Sequence, residues 1–535
     1  MFSRIGGYAV CAIALAIAGP GEASTPDYTS APSVRVESGV LEGTHFVARR
    51  DGFAFLGVPY AEPPVGRLRW EPPTRVTQWT GIRQATQFGA ACPQLPAGWL
   101  PYPQWSEDCL FLNVWTRKLV ANVESPVIVF FHGGSNLAGY SQLNQLGPAL
   151  SPMGVVVVSA NYRLGPLGFL AHPALTAKSE HHSSGNYGLL DQIEALKWVH
   201  ENIARFGGDP GRVTLMGQSA GAVDICLLMT SPLAKGLFQQ AILESGDCQG
   251  TLNKTLRTPL FVNGISGTGE DAGEQLARDL GVAEGPNTLE ELRSISADSI
   301  LAAWSRDRAI HFDAIVDGWV VPEQPARIFA QGEQAHIPVL IGSNADEAMV
   351  FGRGPQTVSE YRQDLEKDSG MFADEEFSVW PALSDADAPL QNLKLRDESF
   401  AYGAWSMAKS MTRTLEPAYL YRFTWRQSGK SSVLGAYHGE ELAFLDNSFP
   451  SSWGFSKADK AFGELLRSYW SQFAKTGNPN SAGLPDWPAY NPRLDQVLEI
   501  GQTIGMRPTN PNLLALEQIM LQVEATQAGA RASTE

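Results

Sequence analysis

Short apolar runs recur along the chain between residues 53 and 425, and segments with helical periodicity separate them. The run PVIVFF at residues 126–131 and the run VTLM at residues 213–216 are examples. A continuous apolar run of this length is typical of a strand buried on both faces, and strands that alternate with helices indicate a parallel sheet. The pattern predicts the α/β fold class, with one large, mostly parallel, doubly wound sheet flanked by helices.

Residues 260–310 and 355–410 have a mainly helical pattern, for example in the segments EQLARDLG, LEELRSI and DSILAAW. Helical insertions into such a sheet often cover the substrate site, and plain surface helices are the alternative. No Pro/Ser-rich linker, low-complexity tract or internal repeat divides the 535-residue chain. Residues 24–535 are therefore predicted to form a single large domain, although length alone would suggest several.

The predicted strand at residues 213–216 leads into GQSAG at residues 217–221, and a helical segment follows at residues 222–229. In a G-x-S-x-G turn between a strand and a helix, small residues are needed because backbone crowds the turn on both sides. The serine is then exposed near the helix N-terminus. The motif predicts that Ser219 is a nucleophile; a structural turn serine is the alternative, since so short a motif also arises by chance.

A serine nucleophile also needs an oxyanion hole, a base and an acid that orients the base. The sequence HGGS at residues 132–135 follows an apolar run, and its glycines let backbone N–H groups point at a developing oxyanion. Asp346 and Glu347 follow another predicted strand, and spacing alone does not separate them. His438 lies in a Gly-flanked turn further on. The order serine, acid, histidine is that of the α/β-hydrolase fold.

At these residues the chain resembles the type-B carboxylesterase and cholinesterase family, and the resemblance covers roughly residues 34 to 500. Five strings in the order of the chain carry it: FLGVPYAEPPVGRLRW (55–70), SEDCLFLNVW (106–115), NYRLGPLGFL (161–170), GNYGLLDQIEALKWVHENIARFGGDPGRVTLMGQSAGA (185–222) and YWSQFAKTGNPN (469–480). The resemblance implies a large α/β-hydrolase domain with helical insertions near the site and an activity on carboxylic esters.

The resemblance also implies roles for single residues. Ser219 would be the nucleophile, His438 the base and Glu347, rather than Asp346, the acid. The backbone N–H groups that would form the oxyanion hole are those of Gly134, Ser135 and Ala220. His132 is interpreted as a structural residue that holds the oxyanion loop, which we define as residues 132–136.

Residues 1–23 are predicted to be a cleaved signal peptide, because a positive start at Arg4 precedes a short apolar run and small residues up to Ala23. The apolar run is too short for a stable membrane anchor. We expect an exported protein, periplasmic or secreted.

Four cysteines follow that segment, and an even number in an exported protein suggests disulfides. Cys92 and Cys109 match the first disulfide of the family that the chain resembles, so the resemblance implies that they pair. Cys226 and Cys248 could pair or could be small buried hydrophobic residues. The second interpretation is favoured here.

Three positions depart from the pattern of the resembled family. Gln218 precedes the nucleophile where many members have glutamate, which makes a choline ester a less suitable substrate. Asn136 replaces an aromatic residue and would make the wall of the site more polar, able to accept hydrogen-bonding acyl groups. Ala348 replaces a glycine. The aromatic residues Trp99, Tyr102 and Trp105 could line the wall of a gorge or pack on the surface.

The formal net charge of −16 argues against binding to nucleic acid or to anionic membranes. No H-E-x-x-H motif or Cys/His cluster with metal-ligand spacing occurs, so neither a metal nor a cofactor is predicted. The expected function is hydrolysis of small-molecule carboxylic esters through an acyl-enzyme. Hydrolysis of carbamates, amides or lipids by the same residues is an alternative, and a non-catalytic adhesion module of the same fold is a more distant one. Sequence gives no indication of the oligomeric state.

Overall fold

The computed structural model describes residues 31–46, 52–98, 101–119, 124–249, 253–257, 267–306, 310–352, 354–448 and 454–532. The predicted signal peptide and Trp99 lie outside these residues. The strands are β1 Ser33–Val36, β2 Gly39–Glu42, β3 Thr44–Phe46, β4 Gly52–Pro59, β5 Ile82–Gln84, β6 Phe111–Thr116, β7 Ser125–Phe131, β8 Val156–Ala160, β9 Gly208–Gln218, β10 Gln240–Glu244, β11 Val339–Asn344, β12 Ala418–Phe423, β13 Gln496–Ile500 and β14 Ile504–Pro508. The helices are α1 Leu146–Leu150, α2 Gly165–Phe169, α3 Pro173–Lys178, α4 Tyr187–Asn202, α5 Ala220–Thr230, α6 Gly269–Asp279, α7 Thr288–Ser294, α8 Ala297–Arg306, α9 Pro325–Gln331, α10 Val358–Ser369, α11 Ala373–Val379, α12 Ala388–Met411, α13 Glu440–Leu445, α14 Lys457–Thr476 and α15 Asn512–Ala532.

Within the described ranges, eleven strands form one sheet in the order β14-β13-β12-β11-β10-β9-β7-β8-β6-β4-β3. The pairs from β13 through β8 are parallel, and the antiparallel pairs lie toward the two edges. The strands β1, β2 and β5 form a small separate sheet. The predicted large, mostly parallel sheet flanked by helices is confirmed.

The central strands are buried on both faces, which explains their continuous apolar runs. In β7, Val127 and Val129 belong to one hydrophobic cluster, whereas Ile128 and Phe130 belong to another. Successive side chains of a strand point to opposite faces, so each cluster is the core on one side of the sheet. The carboxyl ends of the parallel strands therefore emerge at one edge of a rigid, doubly covered layer.

The two predicted helical insertions are present, and they have different positions. Helices α6, α7 and α8 occupy the first, and α6 packs closely enough that a Cβ at Gly273 would lie 1.8 Å from the carbonyl oxygen of Ala171. Helices α10, α11 and α12 occupy the second, and α12 packs along β11 and β12. Only the second insertion contributes to the cavity described below, as far as the described residues go.

Two disulfides are present. Cys92 and Cys109 are bonded with their Cα atoms 5.0 Å apart, as expected. The interpretation of Cys226 and Cys248 as unpaired residues is wrong, because they form a second disulfide with a Cα–Cα distance of 5.6 Å. Cys226 lies on α5 beneath the elbow, and the chain that leaves β10, the next strand to β9, passes over this helix. Two cysteines that are 22 residues apart are thereby brought into bonding distance.

Disulfides persist in oxidising compartments, so the two bonds place the protein outside the reducing cytoplasm. In the part of the chain that the structure describes, none of the helices combines the length and the apolar character needed to cross a membrane.

Candidate active site

The strand β9 ends at Gln218, and α5 begins at Ala220, so Ser219 occupies the sharp turn between them. Its backbone has φ 56° and ψ −127°, a conformation that costs about 1–3 kcal/mol for a residue with a side chain. The turn is held by hydrogen bonds from Ser219 N to the Glu244 carbonyl (2.8 Å) and from Val223 N to the Ser219 carbonyl (3.0 Å). The half-buried side chain caps no helix.

Small residues around this turn are required by contact between backbones. A Cβ added to Gly221 would lie 2.1 Å from the carbonyl oxygen of Phe131, the last residue of β7. A Cβ added to Gly133 would lie 2.6 Å from the carbonyl oxygen of Gln218 and 2.9 Å from Cβ of Ser219. The oxyanion loop that follows β7 therefore lies directly against the elbow.

Three successive residues of the oxyanion loop have positive φ. These are Gly134 (120°), Ser135 (56°) and Asn136 (55°), and a non-glycine residue in this region is uncommon. His132 at the start of the loop is buried, stacks on Tyr162 at 4.5 Å between ring centroids, and has its pKa lowered to about 4 by burial. It is therefore neutral at physiological pH, as a structural residue in the loop would be.

His438 and Glu347 are brought together across the edge of the sheet. Nδ1 of His438 lies 2.6 Å from Oε2 of Glu347, and the carboxylate is fully buried. The other oxygen of Glu347 accepts a hydrogen bond of 2.6 Å from Asn344 N at the end of β11. Burial opposes a charge on the His438 imidazole, but the hydrogen bond and the charge of Glu347, helped by Glu441, raise its pKa above the ordinary value.

The second ring nitrogen of His438 faces the elbow. Nε2 lies 3.1 Å from the side-chain amide nitrogen of Gln218, the residue before Ser219. The rings of Phe351 and Phe400 pack on the imidazole with centroid distances of 4.9 and 5.1 Å. These contacts fix the orientation of the ring between the carboxylate and the turn.

Asp346 is turned away from the imidazole. Its carboxylate accepts hydrogen bonds from Ala436 N (2.8 Å) and from the guanidinium of Arg426 (3.2 and 3.3 Å). Of the two adjacent acids, the structure thus places Glu347 against His438.

Glu440 and Glu441 follow His438 after a single glycine, and both are buried. The side-chain amide of Asn344 donates a hydrogen bond to Glu441. Burial, with the neighbouring carboxylates, raises the pKa of Glu440 to about 9 and that of Glu441 to about 7. Glu440 is therefore protonated at neutral pH. Among the described contacts, neither carboxyl group lies within hydrogen-bond distance of a ring nitrogen of His438, whose Nδ1 contacts Glu347 and whose Nε2 contacts Gln218.

A cavity of about 680 Å³ opens above the elbow. Ser135, Ser219 and Ala220 line its base. Its walls come largely from α10, α12 and α15, with side chains such as those of Leu365, Phe400 and Met520. The second helical insertion therefore covers the nucleophile.

Tyr102 and Trp105, two of the three aromatic residues that could line a gorge wall, lie among the described residues. Trp105 Nε1 donates a 2.6 Å hydrogen bond to the Tyr102 hydroxyl, and Tyr102 is exposed. Neither residue lines the cavity above Ser219. For this pair the alternative of surface packing is the one observed.

Sequence reasoning missed a buried polar network beside the oxyanion loop. The Nδ2 of Asn136 donates to Oδ1 of Asp224 and to Oδ1 of Asp313, both at 2.9 Å. Asn136 is only 1% exposed, so the structure differs from the expectation that it offers hydrogen bonds to an acyl group. The available signal was Asp224, a single acid in the otherwise apolar helix AVDICLLM.

A mostly parallel sheet whose strand ends carry a serine elbow, a glycine-rich loop and an acid–histidine pair defines the class of α/β-hydrolases. Residues 30–513 match the model of the carboxylesterase family. The chain is 37% identical over 485 residues to fumonisin B1 esterase of Sphingopyxis macrogoltabida, covering 88% of this chain and 86% of that protein. It is 34% identical over 477 residues to para-nitrobenzyl esterase of Bacillus subtilis, covering 84% and 91%.

A solved structure of a PNB esterase superimposes with a TM-score of 0.78 at 29% identity, covering 92% of this chain and 99% of that chain. The chain belongs to the carboxylesterase family. It is a hydrolase of carboxylic esters, and small-molecule esters are its substrates, as the sequence predicted.

Proposed function

We propose that this esterase works through a catalytic triad of Ser219, His438 and Glu347. One observation carries the proposal: the His438 imidazole bridges a buried carboxylate on one nitrogen and the elbow on the other. The three residues come from segments far apart in the sequence and meet at the carboxyl ends of β9 and β11 and in the turn before α13.

Acylation begins when the hydroxyl of Ser219 donates to Nε2 of His438. That nitrogen has one lone pair, so the serine hydroxyl has to replace the Gln218 amide that contacts it in this structure. The serine oxygen then bonds to the ester carbonyl carbon as its proton moves to Nε2. Glu347 holds Nδ1 protonated and stabilises the imidazolium that forms.

The carbonyl oxygen becomes an oxyanion in this step. We assign its stabilisation to the backbone N–H groups of Gly134, Ser135 and Ala220. Support comes from the loop that carries the first two, which lies against the elbow that carries the third, with Ser135 and Ala220 both at the cavity base. Donors that are already in place before the reaction stabilise the developing charge without reorganisation.

The tetrahedral intermediate breaks its bond to the alcohol oxygen, which takes the proton from His438 and leaves. A water molecule then gives a proton to Nε2 and attacks the acyl carbon. Collapse of the second intermediate releases the carboxylic acid and returns the proton to Ser219. No oxidant, reductant or cofactor enters this balance.

The test is covalent labelling of the full-length mature protein with a fluorophosphonate, followed by peptide mapping. We expect one adduct on Ser219, complete inhibition of p-nitrophenyl ester hydrolysis, and no labelling of Ser219→Ala. An adduct at another serine, or hydrolysis that survives complete labelling, would overturn the assignment.

We also propose that residues 1–23 direct export of the protein and are removed by cleavage near Ala23. The two disulfides support an oxidising destination. N-terminal sequencing of the protein from the periplasm or medium should start at or near Ser24. A protein recovered with residues 1–23 attached would contradict the proposal.

A further inference from the structure

The buried network beside the oxyanion loop has no part in the chemistry above, yet it connects this loop to α5, the helix that follows the elbow. Ser135 and Asn136 are consecutive non-glycine residues with φ 56° and 55°. Conformations of this kind persist only where the surroundings hold them.

The side chain of Asn136 supplies the most direct contacts. A side-chain amide has two N–H hydrogens, and the two acceptors of Nδ2 are Oδ1 of Asp224 and Oδ1 of Asp313, each at 2.9 Å. The carbonyl oxygen of Asn136 accepts a hydrogen bond of 2.7 Å from Gly165 N. Both the backbone and the side chain of this residue are therefore fixed.

The hydrogen bond between Asn136 and Asp224 matters because of where Asp224 lies. Asp224 lies on α5, five residues after Ser219, and is fully buried. Its second oxygen accepts a 2.5 Å hydrogen bond from the side-chain amide of Gln192 on α4, which fixes the carboxyl group. The N-terminus of the same helix carries Ala220, whose N–H we assign to the oxyanion hole. The Asn136–Asp224 hydrogen bond thus joins the segments that supply the two sets of donors.

We propose that Asn136 is a positioning residue: its side-chain amide ties the oxyanion loop to α5, the helix that follows the nucleophile, and thereby fixes the relative positions of the oxyanion-hole N–H groups. The inference rests on the proposed function. In this role Asn136 acts through the N–H groups of Gly134 and Ser135, since its own amide hydrogens are taken by Asp224 and Asp313. Displacement of such donors by a fraction of an ångström raises the free energy of the transition state more than that of the bound ester.

Asn136→Gly is the sharpest variant, since glycine adopts φ 55° without strain and the hydrogen bonds of the side-chain amide are lost without a new backbone clash. We expect kcat for a p-nitrophenyl ester to fall about 30-fold to 100-fold, with KM changed less than about threefold. The inhibition constant of a trifluoromethyl ketone, which forms an oxyanion on the serine, should rise by the same factor as kcat falls. A merely structural role would not link these two quantities.

Asp224 provides a second, independent pair of variants. Asp224→Asn keeps an oxygen that can accept from Asn136. The Gln192 amide can turn over to accept from the new N–H, because its oxygen has no hydrogen-bond partner among the described residues. Asp224→Ala removes the acceptor. We expect the alanine variant to resemble Asn136→Gly and the asparagine variant to lose less than about fivefold in kcat. This pair decides the question if Asn136→Gly does not fold.

Asn447→Gly is the matched control, because Asn447 is an exposed asparagine with φ 57° in a turn away from the cavity. It should keep wild-type kcat, KM and inhibitor affinity. A kcat for folded Asn136→Gly within threefold of wild type would overturn the inference, as would a loss confined to KM or equal losses in Asp224→Asn and Asp224→Ala. If wild-type protein hydrolyses no ester and binds no fluorophosphonate, the proposed function itself fails.

Discussion

Two regions meet at the cavity above Ser219 and are built in different ways. The base comes from strand ends and tight turns, where backbone atoms touch backbone atoms and residues hold positive φ. The wall comes from α10, α12 and α15, whose side chains face the cavity from ordinary helices. Backbone contacts therefore restrict the residue types at the base to very few, whereas the wall requires only side chains of suitable size and polarity.

Because of this difference, we expect the base to determine the rate of the reaction and the wall to determine which ester is preferred. At the base, a single added carbon at Gly133 or Gly221 would overlap neighbouring backbone. On the wall, Leu365, Phe400 and Met520 contribute apolar surface that other side chains of similar size could replace. Substitutions at the base should therefore change kcat for every ester. Substitutions in the wall should change which ester is preferred.

The largest effect is expected for the nucleophile and the base. Ser219→Ala or His438→Ala should lower kcat by roughly 10⁴-fold to 10⁶-fold with little effect on folding, and the double variant should lose hardly more than either one. Steady-state kinetics and circular dichroism would check this. Double-variant losses equal to the product of the single losses would show that the two residues do not act as a unit.

The two adjacent acids provide the next test. Glu347→Gln should lower kcat about 10³-fold to 10⁴-fold, because an amide cannot stabilise the imidazolium that forms. Asp346→Asn is the matched control, since its carboxylate contacts Arg426 and Ala436 N and not His438. We expect it to lose less than about tenfold. Comparable losses would move the acid by one residue.

The pH profile should show the raised pKa of His438. The base must be neutral to accept the proton, so kcat/KM should fall as the pH drops through a pKa above the ordinary 6.5. In Glu347→Gln, burial remains while the opposing charge is gone. The acidic limb of the residual activity should therefore move to lower pH. An unchanged limb would mean that another group sets it.

The role of the wall can be tested with a larger side chain that reduces the volume of the cavity. Met520→Trp should lower kcat/KM for long-chain p-nitrophenyl esters by about tenfold and leave the acetate within about twofold, because the larger side chain takes volume from the cavity. Leu521→Trp, at an exposed position one residue further along α15, is the control. Equal losses for short and long esters would remove the distinction between base and wall.

The smallest effect concerns charge. Gln218 is uncharged and lies beside the nucleophile, so neutral esters should exceed choline esters of the same acyl group in kcat/KM by about tenfold. Gln218→Glu should narrow this ratio severalfold. The cavity also has acidic residues, among them Asp364 and Asp368 on α10. A wild-type preference for the choline ester would show that these outer charges dominate.

Sequence motifs alone predict most of the base of the cavity. The elbow and the glycine-rich loop could be read from the chain, because close backbone contacts there permit very few residue types. The order serine, acid, histidine could be read as well. The choice of Glu347 over Asp346 came only from resemblance, and the tertiary structure supplies its contact with the imidazole. Adjacent residues differ in spacing too little for sequence to separate them.

Other features depended on contacts between distant segments. Three features depend on such contacts: the disulfide between Cys226 and Cys248, the position of the second helical insertion over the nucleophile, and the hydrogen bonds of Asn136 to Asp224 and Asp313. Local pattern predicts strands and helices because it records which faces are buried. It does not record which buried faces meet, and in this protein the packing of the sheet and its insertions decided that.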